Sequence, residues 1–595
     1  QRSLVGSEMC IRDSFPDMAQ YPNPISLLEV TDKTTSDRVL VNGYLQAEPI
    51  KGLTLKANLG VDRRYDKNKS YVPNTTVAGA AKGGIANILQ RDNIDYLMEL
   101  TANYTKDFGN HSLTALVGYS YQQFNQESVY AGNEDFSTDG FLYNNLQAGA
   151  GTKPYVNSSA RKSALGSYFA RANYSYLGKY LLTVTVRADG ESNFHPDYRW
   201  GYFPSVSAGW RFSDEDFMKP LSSILSNGKL RASYGQTGNS NIGNYMTDSY
   251  GVVSGWVFGN DGYMGTAITK RGNKKLTWET TSEFNIGLDL GFFDNRISLS
   301  MEYYNRIISD LLVSNKSLPA YNEINTIAAN IGKTQGRGFE LTLSTVNIMN
   351  KDWTWSTDFT FYTFKDNWYE RDPNWKPAAY ESKKDPIRSY YSYVSDGLLQ
   401  VGEKAPAWQP TLVPGQIKLK NLYDTGTSPN VLDQYDKVNL GSQDPKCTLG
   451  LNNTLRYKNL DFNIYFYGEI GRLRGASYYD AWIVGLGNSL TNVSQQSLHS
   501  YTNANQNTTV PNLIESAYDF GDYYHKKINY LRCRNITLGY TIPVSKSIAN
   551  SVRISANVSN PFVFTNWNGV DPETDTGNFS YPNVTSFSFG IDISF

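Results

Sequence analysis

The residue types that most often carry covalent or metal chemistry are few and scattered in this 595-residue chain. Its four histidines stand singly, without an HxxxH-type spacing, and its three cysteines form neither a CxxC pair nor an even set at disulfide-framework spacing. These residues are His111, His195, His499, His525, Cys10, Cys447 and Cys533. GxSxG, HExxH and Gly-rich phosphate-loop motifs are also absent from the sequence. The sequence therefore predicts no enzyme, no cofactor, no zinc site and no disulfide scaffold.

Carboxylates and aromatic rings are the remaining candidates for binding chemistry, and they lie in long segments rich in Gly, Asn, Ser and Pro. Asp424, Asp433, Asp436 and Asp444 are irregularly spaced without an EF-hand pattern, so a loop calcium ion competes with solvated carboxylates as their interpretation. Seven aromatic residues could stack on sugar rings, or could instead pack the loops onto each other or onto a partner. These aromatic residues are Trp256, Phe258, Tyr263, Trp368, Trp375, Trp408 and Trp482.

The elements that must carry these loops are strands with one apolar and one polar face. At the C terminus, Phe587, Phe589, Ile591, Ile593 and Phe595 alternate with Ser, Gly and Asp. Successive side chains of an extended chain point to opposite faces, so this period of two marks a half-buried strand. The same period recurs in the segments 283–290, 297–304, 535–542 and 552–559. This repetition predicts a large, antiparallel, all-β protein.

Composition places this all-β chain among membrane barrels. It is 14% aromatic and 19% charged, and no stretch reaches the roughly 18 consecutive apolar residues that a membrane-spanning helix needs. A barrel strand needs only about 9 to 11 residues to cross and hides its polar half in the lumen. Aromatic residues then have a use as girdles at the two membrane interfaces. The formal net charge of −1 gives no reason to expect a nucleic-acid partner.

Short and long connections alternate along the chain, as they do in an outer-membrane barrel with periplasmic turns and extracellular loops. The short connections fall near 49–53, 107–111, 176–180, 213–228, 292–296, 346–352, 458–460 and 543–549. The long ones run near 73–90, 129–159, 193–198, 238–275, 314–324, 369–445, 476–525 and 567–582. Eight hairpins and a final strand give about 17 strands, and plugged outer-membrane transporters have about 22. We therefore expect a transmembrane β-barrel that lacks about five strands.

Several stretches, in the same order along the chain, resemble a signature of SusC/RagA-type TonB-dependent transporters. They are RADG with SNF within 187–194, WGYFPSVSAGW at 200–210, KLRASYGQTGN and IGNY within 229–245, LTWE at 276–279, YLRCRNITLGY at 530–540, and NPFVFT with GVDPE within 560–573. The resemblance implies a barrel preceded by a signal peptide, a small extension, a TonB box and a plug. None of these preceding parts is visible in the sequence, so we expect residues 15–595 to be a partial barrel without its plug. Residues 1–14 look like a non-native, adapter-derived segment.

The resemblance also implies a function and a set of partners. It predicts TonB-energised import of glycans, other oligosaccharides or peptides through the bacterial outer membrane, under a SusD-like lipoprotein lid. The TonB complex would act through the absent plug, so the fragment alone would not transport. Phe589, Ile591, Ile593 and Phe595 resemble the C-terminal signal that the barrel-assembly machinery reads, while also serving as residues that face outer-membrane lipid. A siderophore or other TonB-dependent receptor, a passive porin-like barrel and a surface adhesin remain as alternatives.

Overall fold

The computed structural model describes residues 25–594, apart from 152–153, 259–260, 320–323, 424–429, 476–494, 515–517, 545–548, 568, 570 and 575–580. In chain order, the strands are β1 (Thr31–Ile50), β2 (Leu53–Val72), β3 (Ile85–Phe108), β4 (His111–Glu134), β5 (Tyr155–Tyr176), β6 (Tyr180–Glu191), β7 (Trp200–Trp210), β8 (Leu225–Asn239), β9 (Tyr250–Phe258), β10 (Asp261–Lys270), β11 (Glu279–Phe292), β12 (Ile297–Ser309), β13 (Leu312–Ser317), β14 (Thr326–Asn330), β15 (Lys333–Met349), β16 (Trp353–Glu370), β17 (Ser389–Ser392), β18 (Ser395–Leu398), β19 (Ile417–Leu419), β20 (Val438–Ser442), β21 (Cys447–Tyr457), β22 (Leu460–Gly475), β23 (His525–Ile542), β24 (Ser551–Thr565) and β25 (Ser586–Ser594).

Helical structure is limited to single turns between the strands. The described residues contain one short α-helix, α1 (Val77–Ala80), and 3₁₀ helices at Ser26–Glu29, Asp139–Phe141, Leu146–Ala148, Phe212–Asp214, Asp216–Leu221, Gln434–Asp436 and Gln495–His499. Among the described residues, no helix has the length and apolar character needed to cross a membrane.

Seventeen of the strands form one antiparallel sheet, which we call the wall. The wall runs β1 to β8, then β11, β12, β15, β16 and β21 to β25, and each strand between the first and the last pairs with the wall strands before and after it. Within the described part of the chain, β1 pairs with β2 alone and β25 with β24 alone. The predicted count of about 17 antiparallel strands is confirmed.

The connections sort by length between the two ends of the wall. At one end the strands join through residues 51–52, 109–110, 177–179, 211–224, 293–296, 350–352, 458–459 and 543–550. At the other end lie the long loops, several of which carry strands of their own, such as the hairpins β9–β10 and β13–β14. Residues 371–446 form the longest of these loops and contain the small pairs β17–β20 and β18–β19. This confirms the predicted alternation of short turns and long loops.

The strand register pairs apolar residues with apolar residues on the neighbouring strands, so that the wall has one apolar and one polar face. Ile591, Ile554, Tyr540 and Leu460 are partners on four successive strands, and all four are exposed. On the opposite face, the residues that follow them in sequence include Asp592 and other polar groups. A row of apolar side chains that is exposed along its length is what a lipid-facing surface requires.

The polar face is bridged by ion pairs that cross from strand to strand. Arg553 on β24 reaches Asp461 on β22, with Nε to Oδ1 at 3.1 Å and Nη2 to Oδ2 at 2.6 Å. Between them lies Gly539 of β23, where a Cβ atom would overlap the Arg553 guanidinium and approach the Asp461 carboxylate to 2.6 Å. Glycine is therefore required at 539 because the two side chains meet over its backbone.

A glutamate anchors one of the short turns to the strand ends beside it. Glu215 Oε1 accepts hydrogen bonds from Tyr180 Oη at 2.7 Å and Trp210 Nε1 at 3.1 Å, and Oε2 lies 3.1 Å from Lys179 Nζ. The Tyr180 hydroxyl, with Trp210 and Lys179, lowers the pKa of Glu215 to about 2. The turn is thus tied to two aromatic residues at the edge of the apolar face.

Candidate functional site

The long loops at one end of the wall fold against each other around a shared apolar cluster. Its buried members come from the loop 371–446, the segment 495–524, the loop 566–585 and the adjoining part of β23. They are Leu398, Ile417, Leu419, Tyr501, Tyr524, Ile528, Tyr530 and Trp567, and we call this cluster the loop core. The loops form a packed rim over this end of the wall because they bury a core of their own.

Buried polar side chains hold the backbone around the loop core. Gln409 is fully buried, and its Oε1 accepts a hydrogen bond from the Leu419 N–H at 2.7 Å. Asp436 is also fully buried, and its carboxylate accepts from the backbone N–H groups of Leu422 at 2.7 Å and Asp433 at 2.9 Å. Such side chains replace the ladder partners that an irregular loop lacks, so the rim has a defined shape.

The loop aspartates make contacts within the protein. Asp433 accepts a hydrogen bond from the Tyr435 N–H at 2.7 Å, and Asp444 pairs with Arg388 at 2.8 Å. Asp424 lies outside the described residues. The described ranges contain no group of three or more His, Cys, Asp or Glu side chains arranged to hold a metal ion. A loop calcium ion therefore stays a prediction.

Three of the predicted aromatic residues pack within the rim. Trp408 is half-buried, and its Nε1 donates to the Leu419 carbonyl at 2.7 Å. Trp368 and Trp375 both lie near the Arg371 guanidinium, whose central carbon is 5.5 Å from the Trp368 ring centroid and 3.7 Å from the Trp375 ring centroid. Part of the surface of each of these rings is thus in contact with a neighbouring residue of the rim.

The other predicted aromatic residues are placed differently. Tyr263 is exposed on the hairpin β9–β10. Trp256 and Phe258 belong to β9, but their side chains, like the whole of Trp482, lie outside the described residues. Trp368 and Trp375 therefore share the Arg371 guanidinium, whereas Tyr263 lies on a different element, the hairpin β9–β10. Stacking of these rings on a substrate stays a prediction.

A second cluster joins the segments that carry the family-like motifs in the first half of the wall. It contains Phe194, Phe203, Ile242, Leu276, Trp278 and Ala328, and we call it the aromatic wedge. Phe203 and Trp278 meet edge to face at 5.4 Å between centroids, and Trp278 Nε1 donates to the Arg199 carbonyl at 2.7 Å. The motifs SNF, WGYFP, IGNY and LTWE therefore share one structural role, which their order in the sequence did not reveal.

The aromatic wedge lies where two wall strands separate. The ladder between β7 and β8 runs only from Ser205–Gly235 to Trp210–Leu230, although β7 begins at Trp200. Pro204 has no N–H to donate, and the ladder ends at the residue after it. Phe203 covers the gap, and a Cβ atom at Gly238 of β8 would overlap its ring. Apolar packing thus closes the wall where backbone hydrogen bonds stop.

A buried charge cluster ties the loop 566–585 to β23. Arg532 Nη2 lies 2.8 Å from Asp571 Oδ2, and its Nε lies 2.6 Å from Glu573 Oε1, with the Arg532 and Asp571 side chains only 4% and 5% exposed. Arg534 Nη2 pairs with the other Glu573 oxygen at 2.8 Å. Arg474 of β22 donates to the Pro572 carbonyl at 2.8 Å. We call these five charged side chains, with the Pro572 carbonyl, the latch.

Backbone amides complete the surroundings of Asp571. Its carboxylate accepts hydrogen bonds from the N–H groups of Glu573 at 2.8 Å, Thr574 at 3.2 Å and Asn583 at 3.2 Å. Burial alone would raise the pKa of Asp571, but these amides and the Arg532 guanidinium hold that pKa below its ordinary value. Asp571 therefore stays ionised and organises its own loop while it holds Arg532.

The C-terminal strand shows the apolar surface that its sequence predicts. Phe589, Ile591 and Ile593 are all exposed on β25, in register with Ala556, Ile554 and Val552 of β24. Phe595 lies outside the described residues. Recognition of this strand by the barrel-assembly machinery stays a prediction.

Comparison with known proteins agrees with this architecture. The family described as TonB dependent receptor-like, beta-barrel matches residues 13–560. TonB-dependent receptor P3 of Formosa agariphila is 32% identical over 605 residues, which cover 96% of this chain and 60% of that relative. TonB-dependent receptor SusC of Bacteroides thetaiotaomicron is 28% identical over 96% of this chain and 57% of its own length. The chain thus spans about 60% of the length of the curated relatives it matches.

Among solved structures, the RagAB peptide transporter superposes with a TM-score of 0.82 at 26% identity, covering 96% of this chain and 63% of that chain. The closed-closed state of the RagAB peptide importer gives a TM-score of 0.81 at 25% identity, covering 95% of this chain and 63% of that chain. These relatives are receptors and transporters rather than enzymes. The chain therefore belongs to the TonB-dependent receptor β-barrel family, is of the SusC/RagA type, and is located in the bacterial outer membrane.

Proposed function

We propose that the protein containing this chain imports large nutrients, either oligosaccharides or peptides, with energy from the TonB complex and under a SusD-like lipoprotein lid. The observation that carries this proposal is the rim, in which long loops from different parts of the wall bury one loop core at one end. A passive pore needs only loops that narrow its mouth. A packed rim of this size offers a rigid seat for a protein partner.

The exposed surface of the rim supports a protein partner. Val401, Leu513 and Ile514 are exposed apolar residues on the segments that surround the loop core. Apolar side chains that are exposed on a well-supported backbone are typical of interaction surfaces. The backbone beneath them is held by Asn512, whose side-chain amide donates to the Pro414 carbonyl at 2.6 Å and whose oxygen accepts from the Ile514 N–H at 3.1 Å. We therefore expect the lid to rest on this rim.

Binding measurements with both substrate classes distinguish a peptide importer from an oligosaccharide importer. One structural relative is named as a peptide transporter, and the SusC/RagA-type motifs imply oligosaccharides as a second substrate class, so both classes are tested. The full-length protein is purified with its lid lipoprotein, and binding of defined glycans, peptides and ferric chelates is measured by calorimetry. Binding of a glycan or peptide, together with uptake that stops when TonB is deleted, supports the proposal. Binding of ferric chelates alone would instead identify a siderophore receptor, and uptake without TonB would identify a passive barrel.

Tyr263 provides a residue-level test of substrate stacking. Tyr263→Ala removes an exposed ring from the rim, and we expect weaker binding of a ring-containing substrate by about tenfold, as loss of one stacked ring gives. The matched control is Tyr303→Ala, which removes an exposed ring from the apolar face of β12. Equal affinities in the two variants would refute a role for Tyr263 in substrate binding.

Transport also depends on a closed wall. The described wall has two unpaired edges, at β1 and β25. Backbone groups without partners are costly in lipid, so we expect the present chain alone not to transport. Uptake is therefore measured with the full-length protein, and the present chain serves as the negative control.

A further inference from the structure

The latch depends on a β-bulge that turns one arginine toward the polar face. Leu531 and Leu538 are both exposed on the apolar face although they are seven positions apart, an odd separation that would place them on opposite faces of a regular strand. The register with β22 explains this, because Cys533 pairs with Phe466 and Asn535 pairs with the next residue of β22, Tyr465. Arg534 is therefore an extra residue relative to β22. The bulge shifts the pattern by one and directs Arg532 to the polar face.

The neighbouring strand accommodates the bulge. Asn560 and Pro561 of β24 lie opposite Arg534, between the partners Ser559 and Phe562. Asn560 has a φ of 50°, a left-handed conformation that Asn tolerates better than most residues, and Pro561 has no N–H that would need a ladder partner. The motifs YLRCRN (530–535) and NPF (560–562) thus act together, because the bulge, Asn560 and Pro561 orient Arg532 toward Asp571.

The latch also connects the wall with the loop core. Trp567 belongs to the loop core and lies only four residues before Asp571. The Arg474 guanidinium, which holds the Pro572 carbonyl, lies 5.8 Å from the Trp567 ring centroid. Tyr530 of β23 is a further member of the loop core and lies two residues before Arg532. The wall, the loop 566–585 and the loop core therefore meet within a few residues of the latch.

We infer that the latch is a positioning device that fixes the loop core to the wall, so that the rim is a rigid seat for the lid. This role in seating the lid rests on the proposed function. The buried ion pairs hold Asp571 and Glu573 against β23, and the Arg474 hydrogen bond holds the Pro572 carbonyl against β22. Trp567 transmits this restraint into the loop core. Residues of the latch position the rim, and no contact with the substrate is required of them.

The test measures amide hydrogen exchange of the full-length protein in vesicles, with and without its lid. Asp571→Asn can keep the oxygen that accepts from the Glu573 and Thr574 N–H groups, but it replaces the oxygen that pairs with Arg532 and accepts from the Asn583 N–H group. We expect exchange in segments 395–419 and 495–514 to rise about tenfold, since loss of a charged hydrogen bond in a buried site has at least that effect. The matched control is Asp461→Asn, which breaks the half-exposed pair with Arg553 on the wall and should leave both segments unchanged.

Each outcome decides the inference. Faster exchange in the loop core of Asp571→Asn, together with less lid recovered in co-purification, supports it. Faster exchange confined to the loop 566–585, with the loop core unchanged, would overturn it. If Asp571→Asn fails to insert, Glu573→Gln is used, because Arg532 then keeps Asp571 as its partner. Failure of the unmodified protein to bind any lid would refute the proposed function, whereas the exchange measurements without the lid would still test the latch.

Discussion

Phe203 closes the wall where β7 and β8 separate, and its truncation tests whether packing alone holds the wall together there. Phe203→Ala removes a ring that is 6% exposed and is packed against Trp278 and over Gly238. Phe→Ala substitutions in packed cores cost about 3 to 5 kcal/mol. We expect about 3 kcal/mol here, at the lower end, because the remaining members of the aromatic wedge can relax into the space.

The consequence is local because the backbone ladder is absent at this point. Residues 236–239 of β8 pair with β11 on one side, and on the β7 side, beyond Ser205–Gly235, the packing of the aromatic wedge takes the place of a ladder. A loss of about 3 kcal/mol corresponds to an increase of about a hundredfold in the opening equilibrium. Hydrogen exchange of residues 236–239 in the full-length protein in vesicles measures this increase.

The matched control is Phe284→Ala, which truncates a ring that is exposed on the apolar face of β11. Lipid can fill the space that this ring leaves, so we expect little change in exchange at residues 236–239. A second test introduces Gly238→Ala into the unmodified protein and into the Phe203→Ala variant. The added methyl overlaps the Phe203 ring and should destabilise the unmodified protein, but it should be tolerated in Phe203→Ala. Equal effects of the two Phe→Ala variants, or additive effects of Gly238→Ala, would show that Phe203 does not close the gap between β7 and β8.

Three further predictions concern other parts of the wall. Because the pKa of Glu215 is lowered to about 2, the ionised Glu215 stabilises the turn fully above the ordinary Glu pKa of about 4.3, and this stabilisation is lost as the pH falls toward 2. Hydrogen exchange of residues 211–224 should therefore rise as the pH falls over this range. Glu215→Gln should abolish this pH dependence. Gly539→Val places a side chain between Arg553 and Asp461 and should lower the free energy of unfolding by about 1 to 3 kcal/mol in a urea titration, whereas a value unchanged from the parent protein would contradict the crossing ion pair. Deletion of Phe595 should reduce insertion by the assembly machinery in a heat-modifiability gel, and unchanged insertion would remove the signal hypothesis.

The sequence alone predicts the alternation of the strands, the positions of the turns and the ordered motifs, because each depends on residues close in sequence. Alternation in 283–290 or 552–559 follows from the geometry of an extended strand, whatever its neighbours are. Connection lengths follow from the same strands, so about 17 strands and their sorted loops could be counted in advance. The family of the chain was also recognisable, since the motifs are local strings of residues.

What the tertiary structure alone decided is which distant residues meet. Phe203 and Trp278 share one cluster because strand pairing brings the adjoining loops, 192–199 and 240–278, to the same end of the wall, and no local pattern specifies that meeting. The bulge at Arg534 is equally invisible in the sequence, since one inserted residue changes which face Arg532 occupies only through the register of both neighbouring strands. Trp408 likewise reads as a candidate stacking ring until the fold places the Leu419 carbonyl beside its Nε1. Local periodicity thus determines strands and faces, whereas register and long-range packing determine the contacts that build the site.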